Sequence, residues 1–147
     1  MADSTESSLR IAADPNTVLD VIADVERYPE WAGQMKAVSV LLEDDGGWPD
    51  QVEFTLDAGA IKDTYVLEYT WDVDEDGTGV ASWTLLRANL LTVMDGSYTL
   101  STDSHGTHVT YRLRVELKVP LPGLVKRTAE RTLVDTALQE LKKRVEG

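Results

Sequence analysis

The residues of this sequence best suited to chemistry are four tyrosines on strand faces that we predict to point inward. They are Tyr65, Tyr69, Tyr98 and Tyr111. A buried phenol can act as an acid, or it can be a core group whose hydroxyl the protein itself satisfies. With an ordinary pKa near ~10, tyrosine is a weak base at neutral pH. We therefore assign no catalytic residue from the sequence.

Few charged side chains are expected inside the protein. Asp63 interrupts the apolar face of its strand, so it is the one carboxylate that we expect to point inward, near a strand end. Arg87 also lies near a strand end, where it could guard an opening. Arg112 and Arg114 fall on the predicted outer face, where charged groups keep their hydration.

Two acidic or histidine-containing segments have the composition of metal sites. The segment DVDEDG at 72–77 resembles the start of a calcium loop, but the twelfth position holds Trp83 instead of a glutamate. His105 and His108 lie three residues apart near Asp103, yet zinc needs three or four ligands and the chain has no cysteine. We predict an acidic hairpin turn and a polar hairpin tip, with no metal and no cofactor.

The two longest strand patterns carry three of the four tyrosines. Ile61–Val73 alternates between apolar odd positions and mostly polar even positions, and Val109–Val119 is apolar at every odd position. Such alternation is typical of an antiparallel sheet with one buried and one solvated face. Asp95-Gly96 interrupts another strand and predicts a β-bulge.

The last thirty residues, 118–147, predict the helix that covers this sheet. Pro120 and Pro122 end the preceding strand, and from about Gly123 the chain is rich in helix formers. Apolar residues recur there at helical spacing: Val134, Leu138, Leu141 and Val145, flanked by Leu133 and Ala137. Small side chains in the middle, Ala129, Thr132 and Ala137, either leave a cavity or permit close packing.

The remaining elements follow in a simple order. Asp14-Pro15 begins a first short helix, and YPEWAG at 28–33 predicts a second short helix or turn. The other expected strands are Ser4–Ala12, Ala37–Glu43, Gln51–Asp57, Gly79–Leu86 and Leu91–Ser101, with a loop at 87–89. The order is a strand, two short helices, six strands and a long helix, which we expect to form one domain over 1–147.

Composition excludes several classes of function. The net charge is −12, divided between −14 in residues 1–119 and +2 in residues 120–147. An acidic body argues against nucleic acid and against an anionic membrane surface as partners. The amino terminus has no basic and apolar signal pattern, no apolar run approaches a membrane span, and the absence of cysteine excludes disulfides. We expect a cytoplasmic protein without membrane insertion, either a monomer or a weak homodimer.

Several stretches carry a resemblance to a known superfamily. They are DPNTVLDVIADVERYPEWAG at 14–33, KDTYVLEYTW at 62–71, SWTLL at 82–86, DGSYTL at 95–100 and the segment 119–147. The chain resembles the START-like or SRPBCC superfamily, and within it the small actinobacterial proteins of the polyketide cyclase/dehydrase and lipid-transport group. The resemblance implies an α+β helix-grip fold, with a seven-stranded antiparallel sheet wrapped around a long carboxy-terminal helix.

The resemblance also implies an apolar cavity between the sheet and the helix. We expect thirteen residues to line it and contact a hydrophobic ligand: Trp31, Phe54, Leu56, Tyr65, Leu67, Tyr69, Trp83, Tyr98, Tyr111, Leu113, Ala129, Leu133 and Ala137. Trp31, Trp71 and Trp83 either line this pocket or fill a core.

Three functions agree with the resemblance. The first is binding or transport of a hydrophobic small molecule such as a lipid, fatty acid or polyketide. The second is an enzyme, a polyketide cyclase or dehydratase, which would need inward polar groups to polarise or enolise a poly-β-ketone. The third is a protein-interaction module, as in the ribosome-associated relatives. The sequence favours the first, because it provides inward tyrosines but neither an inward histidine nor an inward arginine.

Overall fold

The computed structural model describes residues 4–59 and 61–147. Within them lie seven strands: β1 (Thr5–Ile11), β2 (Met35–Glu43), β3 (Pro49–Asp57), β4 (Lys62–Val73), β5 (Gly79–Ala88), β6 (Leu91–Asp103) and β7 (Gly106–Leu117). The helices are α1 (Pro15–Ala23), the 3₁₀ helix Val25–Glu30 and α2 (Gly123–Glu146). The Asp14 side chain caps α1 by accepting the N–H of Thr17, as the Asp-Pro pair predicts.

The strands form one antiparallel sheet in the order β1-β7-β6-β5-β4-β3-β2. Strands β2 to β7 follow one another as a meander, and β1 is added beyond β7, pairing Thr5 with Leu113 and Ile11 with Thr107. The buried faces of β3, β4, β6 and β7 meet the apolar side chains of α1 and α2 in one core. This arrangement confirms the predicted fold of seven antiparallel strands, two short helices between β1 and β2, and a long closing helix.

Two strand ends differ from the predictions. Val119 was expected on the inner face of the last strand, but it is 77 % exposed beyond the end of β7, where the Lys118 N–H instead donates to the Leu90 carbonyl. Arg87 and Ala88 belong to β5 and not to a loop, because they pair with β4 across a bulge next to Val66.

The predicted bulge at Asp95-Gly96 is wrong. Both residues pair regularly with β7, and the shift of register in β6 lies between Leu91 and Val93. Gly96 has a different reason to be glycine, since an added Cβ would lie 2.7 Å from the Trp83 ring and 2.6 Å from the Arg112 carbonyl oxygen. The glycine therefore allows the Trp83 indole to lie directly on the sheet.

The helix α2 covers the concave face of the sheet with a stripe that begins only in its third turn. The buried residues are Glu130, Leu133, Val134, Leu138 and Leu141, whereas Leu124 and Val125 in the first turn are exposed. The helix lies closest to β1, β7 and α1. Over the central strands, the gap between the sheet and α2 is bridged by side chains and not by backbone contact. This gap contains the cavity described in the next subsection.

Glu130 fastens α2 to the edge of the sheet. Its carboxylate is buried, accepting the Val115 N–H at 2.8 Å and the Thr5 hydroxyl at 3.3 Å. Without Glu130, the Val115 N–H would lack this buried acceptor, which is costly because a buried donor without a partner keeps its full desolvation penalty. The carboxylate therefore fixes the height of the helix over β7.

Asp63 is buried, as expected, but it organises a loop and does not line the main cavity. Its carboxylate accepts the N–H groups of Thr64, Asn89, Leu90 and Leu91, at 2.8 to 3.2 Å. Burial raises the pKa of this carboxyl, but the hydrogen bonds from Leu91, Leu90, Thr64 and Asn89 outweigh it and hold the pKa below its ordinary value. The Asp63 side chain therefore holds the β5–β6 connection.

We expect Asp63→Asn to destabilise the protein by about 1–3 kcal/mol at neutral pH, because an amide oxygen replaces a charged acceptor of four N–H groups. A carboxyl with a lowered folded-state pKa stabilises the fold above its unfolded pKa and loses that contribution as pH falls through the folded value. Urea denaturation between about pH 7 and about pH 3 should therefore show the difference from wild type shrinking on acidification. Asp45→Asn, in the exposed β2–β3 turn, is the control. A difference independent of pH would contradict the assigned role.

Candidate functional site

A cavity of about 90 Å³ lies between the sheet and α2. Its walls come from the inner faces of β3 to β7, from the segment after the 3₁₀ helix, and from one side of α2. The lining residues are Tyr28, Trp31, Ala32, Gln34, Met35, Phe54, Leu56, Tyr65, Leu67, Tyr69, Trp83, Met94, Tyr98, Tyr111, Leu113, Leu133, Ala137 and Glu140. Trp31, Gln34, Met35, Ala137 and Glu140 are wall residues that remain partly exposed, so we infer that the cavity opens to solvent beside the segment 31–35 and α2.

The structure brings together twelve of the thirteen residues predicted for the pocket. The thirteenth, Ala129, does not line the cavity and packs half-buried against the core near the start of the buried stripe of α2. Trp31 and Trp83 face the cavity, whereas Trp71 does not and donates its indole N–H to the Pro49 carbonyl. Contact of any of these residues with a ligand stays a prediction.

Sequence reasoning missed six lining residues: Tyr28, Ala32, Gln34, Met35, Met94 and Glu140. Four of them lie in the stretch from YPEWAG to the start of β2. The sequence indicated these four residues only through the aromatic composition of that stretch. Composition does not predict where the stretch lies relative to the sheet and α2. Glu140 lies one helical turn beyond Ala137 on the same side of α2, so helical spacing alone could have placed it.

The cavity walls are a continuous set of aromatic rings. Trp83 lies at the centre, with ring centroids 5.6 Å from Tyr69, 5.6 Å from Tyr98 and 5.7 Å from Tyr111. Phe54 continues the set on the β3 side, 5.6 Å from the Tyr65 ring. Rings at these distances and tilts attract one another beyond the effect of burial alone, so the aromatic side chains of the wall pack on one another.

Four phenol hydroxyls in these walls have no protein partner. Within residues 4–59 and 61–147, no hydrogen bond engages the hydroxyls of Tyr65, Tyr69, Tyr98 or Tyr111, whereas the Tyr28 hydroxyl donates to the Ile22 carbonyl at 2.5 Å. None of the four is fully enclosed by protein, so each opens onto space that a water molecule can reach. The walls therefore combine apolar rings with hydroxyls available for hydrogen bonds.

Burial holds these tyrosines in their neutral form. It raises the pKa of Tyr65, Tyr69, Tyr98 and Tyr111 above the ordinary value of 10, and it does the same to Tyr28. Neighbouring tyrosines add to the shift for all except Tyr111, since two phenolates would repel each other. At neutral pH the hydroxyls donate and accept hydrogen bonds, and they do not act as bases.

Within residues 4–59 and 61–147, Glu140 is the one carboxylate of the cavity wall, and it is partly exposed. One of its oxygens accepts the Gly33 N–H at 3.3 Å, and the Lys36 ammonium binds the carbonyl of the same glycine at 2.8 Å. The described part of the chain contributes no lysine, arginine or histidine to the cavity wall. Arg87 in particular is exposed and lies outside the wall, so the expectation that it guards the opening is not supported.

The two segments weighed as metal sites have structural roles. In the β4–β5 turn, Asp76 accepts the N–H and hydroxyl of Thr78. In the β6–β7 turn, Asp103 binds Arg10 at 2.7 Å and accepts the His105 N–H. Across residues 4–59 and 61–147, no group of three histidine or acidic side chains has the geometry of a metal site. No helix of this part of the chain has the length and apolarity to cross a membrane.

Comparison with known proteins agrees with this architecture. The model of the family described as polyketide cyclase/dehydrase and lipid transport matches residues 11–142. No curated protein sequence matches the chain. The similar solved structures include a START superfamily protein from Mycobacterium smegmatis, with 22 % identity, 97 % of each chain covered and a TM-score of 0.85.

Two further structures share the fold. The Zhui aromatase/cyclase from Streptomyces sp. R1128 has 19 % identity and a TM-score of 0.79, with 99 % of this chain and 94 % of that chain covered. A STAR-related lipid transfer protein from Xanthomonas axonopodis has 19 % identity and a TM-score of 0.76, covering 98 % and 86 %. At these identities the likeness establishes the fold alone.

We expect the tyrosines of the folded protein to remain un-ionised through pH ~10, where free tyrosine ionises. A group with a raised folded-state pKa stabilises the fold below its unfolded pKa, so stability should fall as pH rises above about 10. The near-ultraviolet absorbance of phenolate, followed together with circular dichroism, should therefore increase only as the protein unfolds. A urea-unfolded sample is the reference. Phenolate formation near the ordinary pKa with the fold intact would contradict the burial described here.

Proposed function

We propose that this chain, which belongs to the polyketide cyclase/dehydrase and lipid-transport family, binds a small planar hydrophobic molecule in the cavity under α2. The observation that carries the proposal is the aromatic wall with its four unpartnered phenol hydroxyls. Each of these hydroxyls opens onto the cavity and is not engaged by a protein group in the described residues, so a ligand in the cavity can form hydrogen bonds to it in place of water.

The size of the cavity favours a ring over an acyl chain. Its volume of about 90 Å³ is below that of the engineered cavity of about 150 Å³ that binds benzene, and pockets for larger ligands span roughly 300–1,000 Å³. A single ring nearly fits, and a two-ring molecule needs side chains at the opening to move. Met35 and Met94 are suited to this, since methionine is unbranched and adapts to irregular spaces.

The charged groups of the wall further restrict the chemical class of the ligand. Among the described residues, the ionisable groups of the wall are the tyrosines and Glu140, so a ligand carboxylate inside the cavity would contact no cationic wall residue and would meet the Glu140 carboxylate. Phenol hydroxyls donate well to carbonyl and phenol oxygens. We therefore place oxygenated aromatic or polyketide-like rings ahead of fatty acids as ligands.

The expected affinity is modest. A two-ring molecule buries about as much surface as a tyrosine or tryptophan side chain, some 200 Å² of ring surface. At about 25 cal/mol per Å², this contributes about 5 kcal/mol before hydrogen bonds and before the cost of association. A Kd of about 10 μM to 1 mM follows for a simple probe.

A second candidate function is catalysis of cyclisation or dehydration on a polyketide-like substrate. Glu140 favours it, because a carboxylate in the cavity wall can accept a proton while neutral phenols hydrogen-bond to a carbonyl oxygen. Against it, Glu140 lies at the opening and not among the central rings, and the tyrosines are not bases at neutral pH. Binding without chemistry is therefore the preferred function.

We expect 2-naphthol to bind the purified protein and quench its tryptophan fluorescence, with a Kd in the range of about 10 μM to 1 mM. Ala137→Trp should weaken binding by about tenfold or more, because an indole fills the space beside Leu133. The control is Gln139→Trp, which places the same side chain on an exposed position of the same helix. Laurate should bind more weakly than 2-naphthol. Unchanged affinity in folded Ala137→Trp protein would place the binding site elsewhere.

Incubation with a reactive poly-β-ketone surrogate separates binding from catalysis. We expect the protein to give the same products as a protein-free control, and Tyr69→Phe, Tyr98→Phe and Tyr111→Phe to change affinity modestly. Tyr28→Phe is the matched variant, because its hydroxyl already has a protein acceptor. Regiospecific products that disappear in Glu140→Gln, or in one of the tyrosine variants, would make the protein an enzyme.

A further inference from the structure

Two carboxylate-free segments of this acidic protein contain several cations and exposed aliphatic residues. The chain has 26 aspartate and glutamate residues, and, like residues 31–42 and 104–115, residues 84–94 and 117–129 contain none. The same two segments contain four cations, Arg87, Lys118, Lys126 and Arg127. We refer to the surface that they form as the basic apolar patch.

The two segments lie side by side at one end of the sheet. Leu91, at the start of β6, pairs with Leu117, at the end of β7, and the Lys118 N–H donates to the Leu90 carbonyl at 2.8 Å. The first segment includes the end of β5 and the β5–β6 connection, and the second leads into the first turns of α2. The basic apolar patch is therefore continuous across this connection, despite the separation of its parts in sequence.

Aliphatic side chains protrude from this patch. Five of the seven large hydrophobic residues that are exposed in residues 4–59 and 61–147 belong to it: Leu86, Leu90, Val119, Leu124 and Val125. Leu124 and Val119 are 71 % and 77 % exposed. Val119 lies in the connection between β7 and α2, and Leu124 lies in the first turn of α2. Both precede the buried stripe of the helix, so neither side chain contributes to the core.

Three of the four cations lack an acidic neighbour. Lys126 binds Glu116 at 2.9 Å, but Arg87, Lys118 and Arg127 form no ion pair within the described part of the chain. All three are exposed. Two carboxylates adjoin the patch: Glu116, which binds Lys126, and Asp63, which is buried and accepts the N–H groups of Asn89, Leu90 and Leu91. The three unpaired cations therefore provide the exposed charge of this surface, although the net charge of the protein is −12.

We propose that the basic apolar patch docks on the surface of an anionic lipid bilayer. Protruding leucine and valine side chains enter the boundary between headgroups and acyl chains, while lysine and arginine remain at the headgroups. A protein partner fits the composition less well, because the cores of protein interfaces are enriched in aromatic residues and depleted in lysine, and the patch has no aromatic residue. This surface contact requires no helix that spans the membrane.

Flotation with vesicles tests this directly, using the full chain and two compositions, pure phosphatidylcholine and an equal mixture with phosphatidylglycerol. We expect binding to the anionic vesicles at least about tenfold stronger than to the neutral ones, and weaker in high salt. Lys118→Glu and Arg127→Glu should each lower binding by about fivefold or more. Leu124→Ser should also lower it, because it removes the apolar contact without changing charge.

Matched control variants distinguish binding of vesicles by the basic apolar patch from binding by any exposed lysine or leucine of the protein. Lys143→Glu reverses an exposed lysine near the other end of α2, and Leu41→Ser removes an exposed leucine on β2. Both should bind vesicles as wild type does, and thermal melts should show all variants folded. Equal losses in patch and control variants would overturn the proposal. Failure to bind vesicles of either composition would also overturn it, and would leave an acidic protein surface as the partner to examine.

Discussion

The fold depends on covering one apolar face of a single curved sheet. Its inner face carries valines, leucines and large aromatic rings, and the burial of this surface is the main source of stability. The one long helix, α2, packs on the β1–β7 edge and against α1, so its stripe of Leu133, Val134, Leu138 and Leu141 meets only part of that face. Aromatic side chains fill most of the space between the rest of that face and α2, and the cavity occupies what they leave.

The polar groups around this core divide into two kinds. Glu130 and Asp63 are buried carboxylates whose hydrogen bonds are fully accounted for, one fixing α2 on β7 and the other holding the β5–β6 connection. The phenol hydroxyls of Tyr65, Tyr69, Tyr98 and Tyr111 have no protein partner in the described residues and open onto the cavity. Hydroxyls placed in an otherwise apolar wall can form hydrogen bonds to a ligand, which is the physical reason to propose that the cavity is a binding site.

Most of the fold, and much of the cavity wall, could be predicted from the sequence because both follow from periodicity. Alternation in 61–73 and 109–119 assigned the inner faces that carry Tyr65, Tyr69 and Tyr111, and helical spacing assigned the face of α2 that contains Ala137. The segment that follows the 3₁₀ helix has no period, so Gln34 and Met35 were missed.

Other features depend on contacts between residues distant in sequence. The role of Asp63 requires the β5–β6 connection to fold over β4, and the reason for Gly96 is the position of the Trp83 ring. Neither is encoded in local spacing, so the sequence predicted a bulge at Gly96 that does not exist. Nor could it predict the cavity volume, which is a small difference between the space under α2 and the volume of the rings that fill it.

We propose that a planar hydrophobic ligand binds in the space under α2, which is bounded by Trp83, Tyr98 and Ala137. A crystal structure of the protein with 2-naphthol would show whether it does. We expect ligand density within this cavity, with the naphthol oxygen in hydrogen-bond distance of at least one of the hydroxyls of Tyr65, Tyr69, Tyr98 and Tyr111. An empty cavity in crystals that hold the ligand at another site, or a cavity filled only by rearranged side chains, would contradict it.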